Sequence, residues 1–459
     1  MRHLALEKLK LRDYRCFDSI EVSFHQRLTV LVAANGAGKT AILDAIAVAL
    51  GPYVGAFDEA TGTHFAPDDI RQFRVRKTET HEMEYAPLGV ELVAEGYIPG
   101  ILLHELSGGE ESSRWQRNLN GPAKTKTTVK DALELRAYGK RMQQAARTPG
   151  TDVLLPLIAY YGTGRLWQQK KLTDGKRLQR TSRTVGYTDS LDPASSYKAF
   201  VEWFRYWNFN AKDARIKAQE GGKSIEPTEF DDYIESVSAA VNRCLEPVGW
   251  KNIEYSFSRD ALVAHHDELG QLPVELLSDG IRNMIGMVAD IGFRATKLNG
   301  HLGKNAATGT PGIVMIDEVD MHLHPQWQQV VLQNLTQAFP MVQFIVTTHS
   351  PQVLSTVKRE NIRVLGPDAN GNMIATQPLA MTYGEPSGDV MHSVMLVDPQ
   401  PPVSEKADLQ RLTEWIDQGE YAKPEARELM HTLVEALGKN HPQLQRLQRS
   451  IRRQEELGS

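Results

Sequence analysis

Val32-Ala33-Ala34-Asn35-Gly36-Ala37-Gly38-Lys39-Thr40-Ala41 is the stretch on which the fold turns. Before it, LTVLV (28–32) is an unbroken apolar and β-branched run, the pattern of a strand covered on both faces. After it, residues 40–50 are apolar and end at Gly51, the pattern of a helix with its stop. The turn between them fits the phosphate-binding pattern G-x-x-x-x-G-K-[ST], except that Ala33 stands where the first glycine belongs. Asn35, Gly36, Ala37 and Gly38 would wrap phosphate oxygens with backbone N–H groups at the positive end of the helix, with Ala41 following in its first turn. Lys39 would reach the β and γ phosphates of ATP, and Thr40 would offer a hydroxyl to Mg²⁺.

Further along, Gly312–Ile316 is a second buried strand, and it ends in Asp317-Glu318. Asp317 is placed to hold the Mg²⁺ shell and Glu318 to orient or deprotonate the attacking water. QFIVTT (343–348) is the next strand, after a helix over 327–339, so the unit is strand–helix–strand and the sheet parallel. His349 ends that strand, a position from which it could hydrogen-bond the γ-phosphate.

ATPases of the ABC type carry a short serine–glycine signature opening a helix. Two segments compete for it: Leu106-Ser107-Gly108-Gly109-Glu110 and Leu277-Ser278-Asp279-Gly280-Ile281. The first lies between strand-like stretches and reads as a hairpin turn. The second opens an apolar helix 39 residues before Asp317, so Ser278 and Gly280 are the choice. The serine and the helix N-terminus would complete the nucleotide site of a second subunit.

With these pieces in order, the chain resembles the ABC-type ATPase heads related to RecF, SMC and overcoming-lysogenization proteins. The resemblance is carried by YRCF (14–17), VAANGAGKT (32–40), LSDGIRN (277–283), IDEVDMHLHP (316–325) and TTHSPQVL (347–354). It implies an α/β P-loop head of mixed and parallel sheets with flanking helices, ATP held between paired heads, and a nucleotide contact for Arg15. Thr40 and Ser278 are 238 positions apart, and the stretch between them carries no sustained heptads, which excludes a long coiled coil. No Asp-x-Asp follows His349, which argues against a built-in Toprim nuclease. His322 and His324 are read as part of the loop after the acidic pair, not as a metal pair. TYGEPSGDVMHSVM (382–395) and the tail after it resemble the Septu-type anti-phage defence ATPases. That resemblance implies a regulatory ATPase, a homo-oligomer, working with a separate HNH-type nuclease. A RecF-like DNA-repair ATPase without a nuclease partner is the competing reading.

The expected plan is a head over 1–380, interrupted by a mainly helical insertion at about 190–250, and a C-terminal helical region over 381–459 for assembly or docking. The chain has 459 residues, and its two cysteines, Cys16 and Cys244, build no disulfide framework, so a reducing cytoplasm is expected. No apolar run approaches a membrane span or a secretory signal. The formal charge of −5 hides a basic strip at 161–187. There Arg165, Lys170, Lys171, Lys176, Arg177, Arg180 and Arg183 face Asp174 alone, among Tyr161, Trp167 and Tyr187, which suggests a DNA contact.

Overall fold

A computed structural model of the protein describes residues 2–77, 80–100, 104–105, 111–121, 126–164, 182–193, 197–222, 224 and 226–458. The N-terminal strand shows how the sequence sets its own irregularity. Leu4 and Leu6 share one parity and Leu9 and Leu11 the other, so a regular strand would point the two pairs to opposite faces. Strand Ala5–Tyr14 shifts register instead: Leu6 pairs with Gly96, whereas Lys8 pairs with Glu95. Glu7 is the extra residue of a bulge, and all four leucines are buried. This strand belongs to a five-stranded antiparallel sheet in the order Phe17–Ser23, Ala5–Tyr14, Val90–Tyr97, Glu111–Leu119, His104–Glu105.

The second large sheet carries the site. Its order is Met373–Thr376, Ile362–Pro367, Leu28–Val32, Val342–Thr347, Gly312–Ile316, Leu157–Tyr161. Every neighbour pair is parallel except the edge pair of Met373–Thr376 with Ile362–Pro367. The strands at 157–161, 312–316 and 342–347 are buried at every position, as continuous apolar runs require. The strand ending in His349 lies between the phosphate-loop strand and the acidic strand, so three functional loops leave the same end of the sheet. Buried Gln343 joins the two sheets at the bulge. Its Oε1 accepts the Leu6 N–H at 3.0 Å, and its Nε2 donates to Leu6 O at 2.7 Å and His25 O at 3.0 Å.

Where an insertion is expected, the chain forms the helices Tyr197–Glu220 and Glu229–Leu245, the second opened by a Thr228–Asp231 capping box. Buried Phe200, Trp203, Phe204 and Trp207 form the inner face of the first, and Trp203 and Trp207 lie 5.9 and 5.7 Å from the Phe293 ring of helix Asp279–Leu298. Between these helices and helix Asp279–Leu298 stand three antiparallel strands, Trp250–Ser256, Ala261–His266 and Gly270–Pro273. The third is four residues long and too short to show a period.

The chain divides into compact units at Met1–Met395 and Leu396–Ser459. Residues 381–395 stay with the first unit because they bond to it: Thr382 Oγ1 donates to Val357 O at 2.6 Å, Gly384 N–H to Ser355 O at 2.8 Å, and Val390 is buried. The second unit has helices Lys406–Asp417, Pro424–Leu437 and Pro442–Gly458 around its own core of Leu409, Leu412, Ile416, Leu433, Leu444 and Leu447. Among the described residues no helix is long and apolar enough to cross a membrane. Cys16 is exposed, Cys244 buried, and both are free.

Candidate functional site

The phosphate loop follows strand Leu28–Val32 and feeds helix Lys39–Val54. Gly36 and Gly38 both have positive φ, 78° and 93°. Gly38 is also confined: a Cβ there would lie 2.3 Å from Phe17 Cζ and 2.7 Å from Cys16 Sγ. The YRCF turn is thus the floor of the loop, and only glycine satisfies both demands. Lys39 is buried, and its Nζ donates to Ala33 O at 3.1 Å and Ala34 O at 3.4 Å. Burial lowers its pKa, and Asp317, Glu318 and Asp320 pull it back up.

Asp317 is 277 residues from Thr40 in sequence, yet Thr40 Oγ1 donates to Asp317 Oδ2 at 2.7 Å. Thr347 Oγ1 donates to Asp317 Oδ1 at 2.6 Å and accepts the Glu318 N–H at 2.7 Å. Hydroxyl and carboxylate are hard oxygen donors of the kind Mg²⁺ takes while keeping several waters, so Thr40 and Asp317 fit that ion. Among the described residues no group of three or more His, Cys, Asp or Glu is arranged to hold a metal by itself. Glu318 has φ 48°, a left-handed conformation unusual for glutamate, which turns the chain sharply after the acidic strand.

His349 follows strand Val342–Thr347 and is half-buried. Its neighbours are tightly fixed. Thr348 Oγ1 donates to Asp320 Oδ1 at 2.5 Å, and Ser350 Oγ donates to Gln328 Oε1 at 2.7 Å while capping the next turn. The loops after the two strands therefore hold each other. His324 accepts the Gln326 N–H at 3.3 Å and caps a short helix, so its imidazole has a structural role.

Ser278 is the N-cap of helix Asp279–Leu298, but its hydroxyl makes no capping bond and is exposed. Gly280 is buried against the loop that follows Glu318: a Cβ there would lie 2.3 Å from His322 O. The competing segment, 106–110, lies outside the described residues. Arg15 is exposed and pairs with two carboxylates, one of them on the phosphate-loop helix. Its Nε donates to Asp69 Oδ1 at 2.7 Å and its Nη1 to Asp44 Oδ2 at 2.5 Å, and Tyr160 donates to the other Asp44 oxygen at 2.8 Å.

The sequence reading missed one constellation. Tyr161 donates to Asp290 Oδ2 at 2.7 Å, Arg294 Nε donates to the same oxygen at 2.7 Å, and all three side chains are buried. The i, i+4 spacing of Asp290 and Arg294 inside an apolar helix was the available signal. Within the basic strip at 161–187, the described residues are those at its two ends. Tyr161 and Tyr187 are buried and cannot stack on bases, and Arg183 donates to Leu298 O at 2.9 Å and Val153 O at 2.7 Å. Residues 165–181, with the remaining cations and Trp167, lie outside the described residues.

Comparison with known proteins agrees with this geometry. A model described as AAA domain matches residues 8–236. A second AAA domain model, whose description also names an AbiEii toxin of Type IV toxin–antitoxin systems, matches 199–355. Together they span the phosphate loop, the acidic strand and His349. The first unit is thus an α/β unit similar to AAA-domain ATPases. Over the head and beyond, the chain is 27% identical to the Retron Ec83 probable ATPase of Escherichia coli, covering 98% of this chain and 86% of the relative. It is 24% identical to the Retron Vc95 probable ATPase of Vibrio cholerae serotype O1 biovar El Tor, covering 84% and 78%. It is 23% identical to the Septu protein PtuA of Bacillus mycoides (strain KBAB4), covering 83% of this chain but 43% of that one. The head also aligns with an SMC head solved bound to the C-winged helix domain of ScpA, at 14% identity and a TM-score of 0.44, over 82% of this chain and 98% of that one.

Proposed function

We propose that this chain is the ATP-binding and ATP-hydrolysing regulatory subunit of an anti-phage defence complex, acting on a separate HNH-type nuclease. The observation that carries the ATPase part is the convergence of Thr40, Asp317 and Thr347 within 2.7 Å contacts. Lys39 and the loop N–H groups hold the phosphates. Thr40 and Asp317 hold Mg²⁺, which supplies charge neutralisation on the phosphate oxygens. Glu318 orients and deprotonates the attacking water, and His349 hydrogen-bonds the γ-phosphate side of the site.

Ser278 supports pairing of heads. Its hydroxyl is exposed and makes no capping bond in its own helix, and a second head would bring it and the helix N-terminus to the γ-phosphate. The defence assignment is supported by likeness to retron ATPases over most of both chains and to PtuA. The test is co-purification with the product of the adjacent reading frame, followed by mass measurement with and without ATP. An HNH protein in a stable complex supports the reading. A head that pairs with ATP but keeps no nuclease, beside recombination genes, supports a RecF-like repair ATPase instead.

A further inference from the structure

The second unit is strongly polarised. Residues 396–438 hold nine Asp or Glu against four Lys or Arg, whereas 439–454 hold one lysine, four arginines and no acid before Glu455 and Glu456 at the end of the helix. The four arginines, Arg446, Arg449, Arg452 and Arg453, are exposed on helix Pro442–Gly458, opposite the buried Leu444 and Leu447. At 100° per residue they occupy an arc of about 120°.

The acid that shares their arc is Glu456, one turn beyond Arg452 at the end of the helix. Lys406, Arg411 and Lys423 of the acidic helices pair with Asp398, Asp408 and Glu420. Arg446, Arg449, Arg452 and Arg453 form no ion pair among the described residues. Arg446 and Arg449, Arg449 and Arg452, and Arg449 and Arg453 are instead like charges at i, i+3 or i, i+4, which destabilises a helix. The bundle core does not require this, since the arginines face away from it. An external polyanion does.

We infer that the arginine face of helix Pro442–Gly458 binds the phosphate backbone of duplex DNA. Charge alone would also suit an acidic protein, but protein interfaces pack aromatic and Met side chains around their arginines. This face has none between Arg446 and Arg453; Gln448 and Ser450 stand between the arginines instead. Polar, positive surfaces are the mark of nucleic-acid interfaces. Single strands are held by stacking on aromatic rings, and residues 439–458 contain no aromatic ring apart from the imidazole of His441, whose Nδ1 is buried. A helix about 10–12 Å across with phosphate-facing arginines matches a major groove about 12 Å wide.

The test uses the full chain and a fluorescent duplex of about 30 base pairs, with anisotropy read from about 50 to about 200 mM salt. Replacing all four arginines by glutamine, a good helix former, should weaken binding at least about tenfold and lower the log–log salt slope by about 3 to 4. The four-lysine variant should stay within about threefold of the parent, because lysine still neutralises phosphate. If the helices of the four-glutamine chain do not fold, as judged by circular dichroism, the pairs Arg446→Gln/Arg449→Gln and Arg452→Gln/Arg453→Gln should each remove about half of the slope change. Unchanged affinity and slope in the glutamine variants overturns the proposal. So does tighter arginine-dependent binding of single-stranded DNA, or of polyglutamate, than of duplex. ATP binding is expected to be the same in every variant, so failure here leaves the ATPase reading intact.

Discussion

Tyr161 and Asp290 are joined by a buried hydrogen bond of 2.7 Å, and through it the helix begun by Ser278 is tied to the acidic strand. Tyr161 O also accepts the Asp317 N–H at 2.8 Å, so one residue touches both. Arg294 completes the link by donating to Asp290 and to Gly186 O and Thr188 O, both at 2.9 Å. Asp290→Ala leaves that guanidinium buried without its counter-charge and should cost about 3–5 kcal/mol. Tyr161→Phe removes one donor and should cost about 1–2 kcal/mol. Urea denaturation measures both, and an Asp290→Ala loss below about 1 kcal/mol would show that the pair does not hold the helix.

Glu318 and Asp317 should separate cleanly in kinetics. Glu318→Gln keeps the shape of the site and loses the base, so ATP binding should persist while turnover falls about 10² to 10⁴-fold. Asp317→Asn should weaken Mg²⁺-dependent ATP binding itself. Phosphate release and nucleotide titration are the readouts. Turnover by Glu318→Gln close to the parent would remove glutamate from the proposed role.

A shared site can be tested by mixing two dead variants. Lys39→Ala cannot hold phosphate, and Ser278→Arg should bind ATP but fail to serve a partner. A mixed dimer keeps one whole site, with Lys39 from one chain and Ser278 from the other. Random mixing should restore roughly a quarter of the parent activity, as expected of a two-fold dimer. No recovery after subunit exchange would refute completion of the site by a second copy.

Gly280→Ala should be costly for its size. The new methyl would sit 2.3 Å from His322 O, a backbone atom on the loop that begins at Glu318. The loop must shift, and misplacing a catalytic group by about 1 Å can cost about 10²-fold. ATP affinity should be nearly unchanged, because Lys39 and Thr40 are on another loop. Equal losses of affinity and turnover would mean that the whole site, not that loop, had moved.

Lys297 gives a pH signature. Burial pushes its pKa from 10.5 down to about 8, against a smaller upward pull from Glu229. Above the higher value the amine is neutral in both folded and unfolded chains. Between the two values the unfolded chain binds a proton that the folded chain does not, so stability falls as pH drops from 10.5 to about 8 and is level below. Lys297→Met should flatten this slope. At pH 7 it should gain at most about 3 kcal/mol, less the contribution of the ammonium over the Trp203 ring. Melting curves of the two chains from pH 7 to 11 give the difference directly.

What was legible in the sequence was local. The strand Gly312–Ile316, the helix after the phosphate loop and the position of Ser278 at a helix start all follow from runs a few residues long. What escaped depends on pairs far apart in sequence. The ion pairs of Arg15 with Asp44 and Asp69, 29 and 54 residues away, were not foreseen beside its expected nucleotide contact. Tyr161 and Tyr187 looked like stacking rings beside cations, but the sheet and the helix Asp279–Leu298 bury them. The helix expected over 327–339 breaks into Pro325–Gln328 and Val331–Ala338, a kink that apolar spacing does not record.

Gln343 carries a last consequence. Its amide serves the bulge of one sheet from inside a strand of the other, and residues of both sheets share one core. Neither sheet can therefore melt alone without stranding buried polar groups in its neighbour. Amide exchange at Leu6 and along Val342–Thr347 should share one opening free energy, the mark of a single cooperative unit. Removing the first 25 residues would then unhinge the floor beneath Gly38, although every residue directed at phosphate lies beyond the cut.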